Sequence, residues 1–445
     1  MIRFERDRLR DGFGRATVVD LLERGLAAID PRRVVSDQIS LDGNRLRIGS
    51  HTYDVSAGRV WAIAIGKAAV PMAEAVSSRL GDALAGGIVV TRYGHGGAIT
   101  GFRVFEAGHP IPDEGALRAA AAIEELSGSV GPGDLALCLL SGGGSALLAV
   151  PPAGVTIDDL ARTTRLLIGS GAAIDEVNTV RRHLSTLLGG RLARCLQPAR
   201  VATLALSDVP SDRPETIASG PTVPDPTTFR DAVAVLRRQR LWERLPSSVR
   251  RALRPADDAE TPRPGDPGLR AARFEIVASN RTLLDEIERA AGGVGCHVIR
   301  VSEPIVGQAR SAGLAMARSV ADLAAGGAAR TLLVSGGETT VAVTGRGRGG
   351  RNQEFALAGA IELAGVSGVC VAALATDGSD GVTEAAGAIV DGETIDRIER
   401  AGIDPGAALD ANDSHAALSA AEDVLWTGPT RTNVADAYVA FIDRS

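Results

Sequence analysis

A single lysine, Lys67, stands among 48 basic side chains, and every other one is an arginine. Lysine and arginine serve equally well as solvated surface charges, but only lysine presents a compact, titratable ammonium. Lys67 follows the apolar run Val60–Ile65 and the turn residue Gly66. In open α/β proteins the first residues after a buried strand are where ligands bind. Four more apolar runs end in residues able to do chemistry. Ser141, Gly142, Gly143, Gly144 and Ser145 follow Leu140. Three glycines there let backbone N–H groups converge on phosphate or carboxylate oxygens, and a helix start would add positive potential. Ser207, Asp208, Val209 and Pro210 follow Leu206, while Ser335, Gly336, Gly337 and Glu338 follow Val334. Thr376, Asp377, Gly378, Ser379 and Asp380 follow Ala375. Any one of these could be a plain turn, since Gly, Ser and Asp are turn residues. Together they set the carboxylates Asp208, Glu338 and Asp377 just past apolar strands, and carboxylates are the hard ligands Mg²⁺ prefers.

Gly345, Gly347 and Gly350 point elsewhere. They have the spacing of a dinucleotide fingerprint, between an expected strand Thr340–Thr344 and an expected helix Asn352–Ala364. Asp377 lies near the position of a ribose-binding acid. Against this, Arg346, Arg348 and the polar start Arg351, Asn352, Gln353, Glu354 fit poorly with a helix that must pack closely beneath a dinucleotide. The chain contains no G-x-x-x-x-G-K-[ST] sequence, which excludes a P-loop enzyme.

These residues need a scaffold. The helical spacing of Val18, Leu21, Leu22, Leu26 and Ile29 predicts an opening helix, and Leu41–Val55 reads as a hairpin around Asp42 and Gly43. Apolar runs over Val60–Ile65, Gly87–Val90, Leu135–Leu140, Val201–Leu206, Phe274–Ala278, His297–Val301, Thr331–Val334 and Val369–Ala375 alternate with Ala/Leu-rich helical segments. Near-continuous apolar strands between helices mean a parallel sheet covered on both faces. Residues 246–270, rich in Pro, Asp and Arg, read as a connection between an α/β domain over 1–245 and another over 271–445.

A net charge of −6 argues against nucleic-acid binding, and Gly345–Arg351 reads as a structured loop rather than an RGG tract. Cys138, Cys195, Cys296 and Cys370 form no C-x-x-C pair and suggest no disulfide or zinc framework. The first residues lack the apolar core of a signal peptide. Ala356–Ala375 is long and apolar but carries Glu362, and an intramembrane carboxylate costs about 2.5–3.5 kcal/mol. A helix followed by a buried strand is expected there, in a soluble, reduced, cytoplasmic protein.

The same residues resemble a known family. Ala64–Ala68 around Lys67, Ser141–Ser145, Ser207–Pro210 with Ala218–Thr222, Ser335–Thr339, Gly349–Glu354 and Thr376–Gly381 are similar, in order and over nearly the whole chain, to class II glycerate kinases, whose C-terminal half is the MOFRL domain. Glu106–Asp113 and Asn178–Ser185 resemble further family segments. Two departures stand near the end: Thr430–Asp436 resembles a T-G-T-N-V-N-D segment with Arg431 for Gly and Ala435 for Asn. Leu188 replaces a basic residue common in the family before Gly189 and Gly190.

The resemblance implies two α/β domains, the first Rossmann-like with a mostly parallel sheet, and an active site in the cleft between them. It implies phosphorylation of D-glycerate on the 2-hydroxyl with ATP and Mg²⁺. Lys67, Arg351 and Asp208 are then the expected catalytic residues. Ser141, Gly142, Gly143, Gly144, Ser145, Glu338, Asn352 and Glu354 are the expected binding residues, and Asp208, Glu338 and Asp377 the expected metal ligands. The expected partners are D-glycerate and nucleotide, with no nucleic acid and no membrane, in a monomer or homodimer. The alternatives are an NAD(P)H-dependent hydroxypyruvate reductase, which the Gly345 fingerprint favours, and a non-catalytic sugar-acid-binding protein.

Overall fold

A computed structural model describes residues 2–254 and 260–443. The chain forms two compact units. The first is Pro31–Val277, and the second joins Met1–Asp30 to Ala278–Ser445.

In the first unit, β1 (Ile39–Asp42), β2 (Arg45–Ile48) and β3 (His51–Asp54) form a small sheet, one strand more than the expected hairpin. The main sheet contains β4 (Val60–Ile65), β5 (Leu84–Arg92), β6 (Phe102–Ala107), β7 (Leu135–Leu140), β8 (Arg200–Leu206) and β9 (Arg273–Ala278). Its order is β6-β5-β4-β7-β8-β9, with β4, β5, β6, β7 and β8 paired in parallel. β7 is buried at every position, as a strand covered on both faces must be. Its side chains pack with Ile63, Ile65, Ile88 and the helix Glu114–Ser127. A helical subcore built from Ile157–Ile168, Ile174–His183 and Phe229–Arg238 completes this unit.

The expected connection over 246–270 is largely part of this unit. Val249 and Leu253 enter the helical subcore, Leu269 enters the sheet core, and buried Thr261 donates to Asp225 at 3.1 Å. Residues 255–259 of that expected linker lie outside the described residues.

In the second unit, β10 (His297–Arg300), β11 (Ile305–Gln308), β12 (Thr331–Thr340), β13 (Val369–Ala375), β14 (Gly387–Asp391), β15 (Val424–Leu425) and β16 (Asp436–Ile442) form one sheet. It is mixed: β10 and β11 run parallel to β12, while β16 lies antiparallel between β12 and β13. The parallel sheet expected from the apolar runs therefore holds for the first unit only. The helices Ala309–Ala325 and Arg351–Glu362 cover the second sheet. The first residues belong here, because the helix Arg15–Ala28 packs on Asn280–Gly293. Their approach is close enough that a Cβ on Gly25 would stand 2.8 Å from Ile287. Buried Arg15 also pairs with Asp391 at 2.6 Å and Asp423 at 2.8 Å. The apolar stretch Ala356–Ala375 is the end of a helix followed by β13, and no described helix is long and apolar enough to cross a membrane.

Candidate active site

The parallel sheet reverses its order between β4 and β7. The chain steps outward from β4 to β5 and β6, then crosses back to lay β7 on the other side of β4. A crevice opens at such a switch point, outside the carboxyl ends of the strands. Half-buried Lys67 lies at the end of β4, and the Ser141–Ser145 turn at the end of β7. Backbone bonds tie the two ends together: Lys67 N–H donates to Gly142 at 2.8 Å, and Ser141 N–H to Ile65 at 2.9 Å. Gly66 has φ 122°, and a Cβ there would stand 2.3 Å from Ser141 Oγ.

Ser141 is fully buried, and its Oγ accepts from Ala68 N–H at 3.0 Å. It clips the two turns together. Gly143 has φ 86°, and a Cβ on it would reach His109 Cδ2 and Nε2 at 3.2 Å and Lys67 Cγ at 3.5 Å. A Cβ on Gly144 would overlap Ala218 at 2.7 Å, and Ser145 Oγ bonds Ser219 Oγ at 2.8 Å. The helix that begins at Gly144 ends at Leu147, too short to supply the expected field at its start. Asp208 follows β8, one strand beyond the switch point, half-buried beside buried Ser207.

His109 and Ser219 were not singled out as site residues in the sequence. The structure, not the sequence, marks the second: Ala218, Ser219 and Gly220 all have positive φ, at 49°, 58° and 57°. Two consecutive non-glycine residues in the left-handed region store strain of a kind that clusters at functional sites. Gly189 and Gly190 donate to the carbonyls of Ser219 and Gly220 at 3.1 and 2.7 Å and hold this turn.

In the second unit Ser335–Thr340 is not a turn. β12 runs on through Thr340, and 341–344, where a strand was expected, has no regular structure. The glycines are there for close packing, since a Cβ on Gly336 would lie 1.6 Å from Asn280 Oδ1 and one on Gly337 2.0 Å from Ile305 O. β16 starts at Asp436, paired with Gly337 on one side and Ala375 on the other. That pairing brings Glu338, Asp436 and the turn after β13 to one sheet edge.

Arg351 opens its helix there. Its Nε and Nη2 donate to Asp436 at 2.5 and 2.8 Å, and its Nη1 lies 3.1 Å from exposed Glu338. Tyr438 donates to Asp436 at 3.3 Å. The planar fork expected to clamp a ligand is thus already engaged by carboxylates of its own unit.

Asp380, rather than Asp377, carries the helix start. Buried Asp380 accepts from Asn352 N–H at 3.0 Å and Gln353 N–H at 2.8 Å, and from both side-chain amides. Glu354 accepts from Asn412 at 3.1 Å, so Asn352 and Glu354 build the frame of the site. Asp377 accepts from Ser379 N–H at 3.2 Å within its own turn. Burial pushes the carboxyls of Asp436 and Asp380 up, against the hydrogen bonds they accept. Burial opposes the charge on Arg351, but the Asp436 bond and its charge outweigh it and hold the guanidinium more firmly protonated.

Among the described residues no group of three His, Cys, Asp or Glu side chains is arranged to hold a metal. Glu338 and Asp377 belong to one unit and Asp208 to the other. Mg²⁺ does not require a protein cage: it binds through one or two carboxylates together with substrate phosphates, and single acids such as these suit that role.

The Gly345 loop is closed to a dinucleotide. Thr344 and Gly345 N–H donate to Asn412 Oδ1 at 2.8 Å, Gly347 N–H to Ala411 at 2.9 Å and Arg348 N–H to Asp413 at 2.9 Å. Cβ atoms on Gly345, Gly347 and Gly350 would fall 2.0, 2.3 and 2.3 Å from Ala411, Asp413 and Asp380. These glycines admit neighbouring protein, and the amides that would cradle a pyrophosphate are already spent.

Residues 17–254 match the family described as a domain of unknown function (DUF4147), and residues 331–436 match the MOFRL family. A glycerate 2-kinase of Pyrococcus horikoshii is 38% identical over 426 residues, 95% of this chain and 96% of that protein. This chain belongs to the glycerate kinase family. The crystal structure of a glycerate kinase from Thermotoga maritima superposes with a TM-score of 0.83 at 38% identity, over 96% of this chain and 99% of that one. A family relative from Agrobacterium vitis, provisionally named a hydroxypyruvate reductase, is 41% identical over 433 residues, 96% of each chain. The departures noted near the C-terminus sit where glycine and asparagine have a physical advantage. Arg431 has φ 58° and Ala435 φ 67°, a region that L-residues other than Asn and Asp enter at a cost.

Proposed function

We propose that the protein phosphorylates D-glycerate on its 2-hydroxyl with ATP, giving 2-phosphoglycerate and ADP. The observation that carries this reading is the placement of the only lysine at the switch point of the parallel sheet, in a chain of the glycerate kinase family. Phosphoryl transfer asks the protein for positioning and charge neutralisation. The glycerate oxygen forms the new O–P bond while the bond to the bridging oxygen breaks, and that electron pair stays on ADP. The hydroxyl proton passes to solvent water. Lys67 neutralises an anionic oxygen in the first unit, and the glycines beside it let the ligand approach the backbone. Arg351, held by Asp436, is the anion-binding group of the second unit. Mg²⁺ arriving with the nucleotide supplies further neutralisation of its phosphates, with Asp208, Glu338 or Asp377 as single carboxylate ligands.

The test measures ADP release from ATP-Mg²⁺ with and without D-glycerate, and the product's ³¹P NMR spectrum. Phosphate on the 2-hydroxyl is expected, and a 3-phosphoglycerate signal would refute the stated acceptor. Lys67→Arg keeps the charge but not the compact ammonium, and should lower turnover by about 10²-fold or more with little change in stability. Near-wild-type turnover in that variant would remove Lys67 from the mechanism. The reductase reading takes its support from the names of two relatives. Glycerate-independent loss of 340 nm absorbance with hydroxypyruvate and NADH would establish it instead, and the spent amides of the Gly345 loop predict no such loss.

A further inference from the structure

We propose that His109 is a second side chain of the Lys67 corner, donating a hydrogen bond from Nε2 to the anionic group that Lys67 holds. The inference deepens the kinase reading and rests on it. His109 lies just past β6, the far edge strand of the parallel sheet. Its ring nonetheless reaches the switch point. The Cδ2–Nε2 edge stands 3.2 Å from where a Cβ of Gly143 would be, and the Lys67 stem 3.5 Å from the same place. Side chains from two strand ends, those of β6 and β4, therefore meet at the glycine that follows a third, β7, and that glycine has φ 86°. The edge that faces that glycine carries the nitrogen able to hydrogen-bond.

The loop is anchored by Asp113. Asp113 Oδ1 accepts from Gly108 and Gly115 N–H at 2.9 Å each, and its Oδ2 accepts from Tyr93 at 2.8 Å. A Cβ on Gly108 would fall 2.4 Å from Ile111 O, so the loop folds tightly back on itself. These anchors start the helix Glu114–Ser127 and leave His109 exposed at the crevice. A histidine that served only to fill the core would be buried.

An ammonium supplies charge without direction, whereas an imidazole N–H supplies direction. Together they suit a carboxylate or a phosphoryl group, the two anions of this reaction. The comparison that decides is His109→Ala against His109→Gln, because glutamine places an amide donor near the position of Nε2. Alanine should lower kcat/KM on the order of 10²-fold, as for loss of one oriented donor. Glutamine should restore most of it, with unfolding midpoints of both variants close to wild type. If the anion is the carboxylate, the loss falls on KM for D-glycerate and on its calorimetric affinity. If it is the phosphoryl group, the loss falls on kcat.

Alanine within about threefold of wild type would overturn the proposal. So would glutamine as inactive as alanine with the acidic limb of the pH profile removed, since that marks a proton acceptor rather than a donor. Wild-type protein that releases no ADP with D-glycerate would refute the kinase reading alone. Calorimetric titration of wild type and His109→Ala with inorganic phosphate then judges His109 by itself: affinity weakened tenfold supports the proposal, and unchanged affinity refutes it.

Discussion

Replacing Asp436 by Asn tests whether Arg351 works from a fixed position. Asp436 is completely buried and holds two guanidinium nitrogens, at 2.5 and 2.8 Å. Asparagine keeps the shape but turns an NH₂ toward one of those donors. Breaking a buried pair on one side costs about 3–5 kcal/mol. Two features reduce that figure here. Arg351 retains Glu338 at 3.1 Å, and burial already pushes the Asp436 carboxyl up, so removing its charge recovers part of the desolvation cost. A net loss of about 2 kcal/mol is expected, below that range. In a folding unit of this size it lowers Tm by roughly 4–8 °C. Turnover should fall more steeply, on the order of 10²-fold, because a displaced guanidinium loses its alignment while the fold survives. Calorimetric unfolding and glycerate-dependent ADP release measure the two effects, and a double-mutant cycle with Arg351→Ala isolates the pair. Additive single effects, or an Asp436→Asn enzyme with wild-type turnover, would refute the idea that Asp436 positions Arg351.

The left-handed backbone at Arg431 and Ala435 predicts that Arg431→Gly and Ala435→Asn each stabilise the protein, by about 0.5–1 kcal/mol. Urea midpoints that rise at unchanged slope would agree, and a lower midpoint for exposed Arg431→Gly would contradict the strain argument. Gly345→Ala sets a Cβ 2.0 Å from the Ala411 carbonyl oxygen and should cost about 3 kcal/mol or more. A protein unfolding at the wild-type temperature would show that the loop can move away. The last prediction concerns acid. Burial pushes the Asp134 carboxyl up, but N–H groups of Arg59, Gly131 and Trp61 outweigh it and hold the group below the usual carboxylate range. Its stabilisation is therefore complete above the unfolded value of about 3.9 and is lost as pH falls through the depressed folded one. The stability gap between wild type and Asp134→Asn should shrink as pH falls below about 4, and a constant gap would refute the assignment.

Much of the site is written locally. Lys67 stands out by composition, and its strand is recognisable because a buried parallel strand is apolar throughout, as Val60–Ile65 and Leu135–Leu140 are. Those two runs alone place Lys67 and the Ser141 turn at strand ends. That the two ends are neighbours depends on strand order, which is a long-range property. Only the crossover that sets β7 beside β4 creates the switch point, and only it brings His109 from the far edge strand to Gly143.

The second unit was less legible for the same reason. Ser335–Glu338 looks like a turn because glycine breaks strands in general. In the fold the glycines keep β12 extended by admitting Asn280 and Ile305 at distances no Cβ would allow. β16 was not anticipated, yet its insertion between β12 and β13 decides which acids meet Arg351. Asp377 and Asp380 lie in one turn and are chemically alike. Burial against the start of the Arg351 helix, rather than any local pattern, makes Asp380 the one that binds it. Residue type and period act over a few positions and so determine strands, turns and candidate chemistry. Which side chains meet follows from which strands pair, and that is set by packing between segments far apart in the chain.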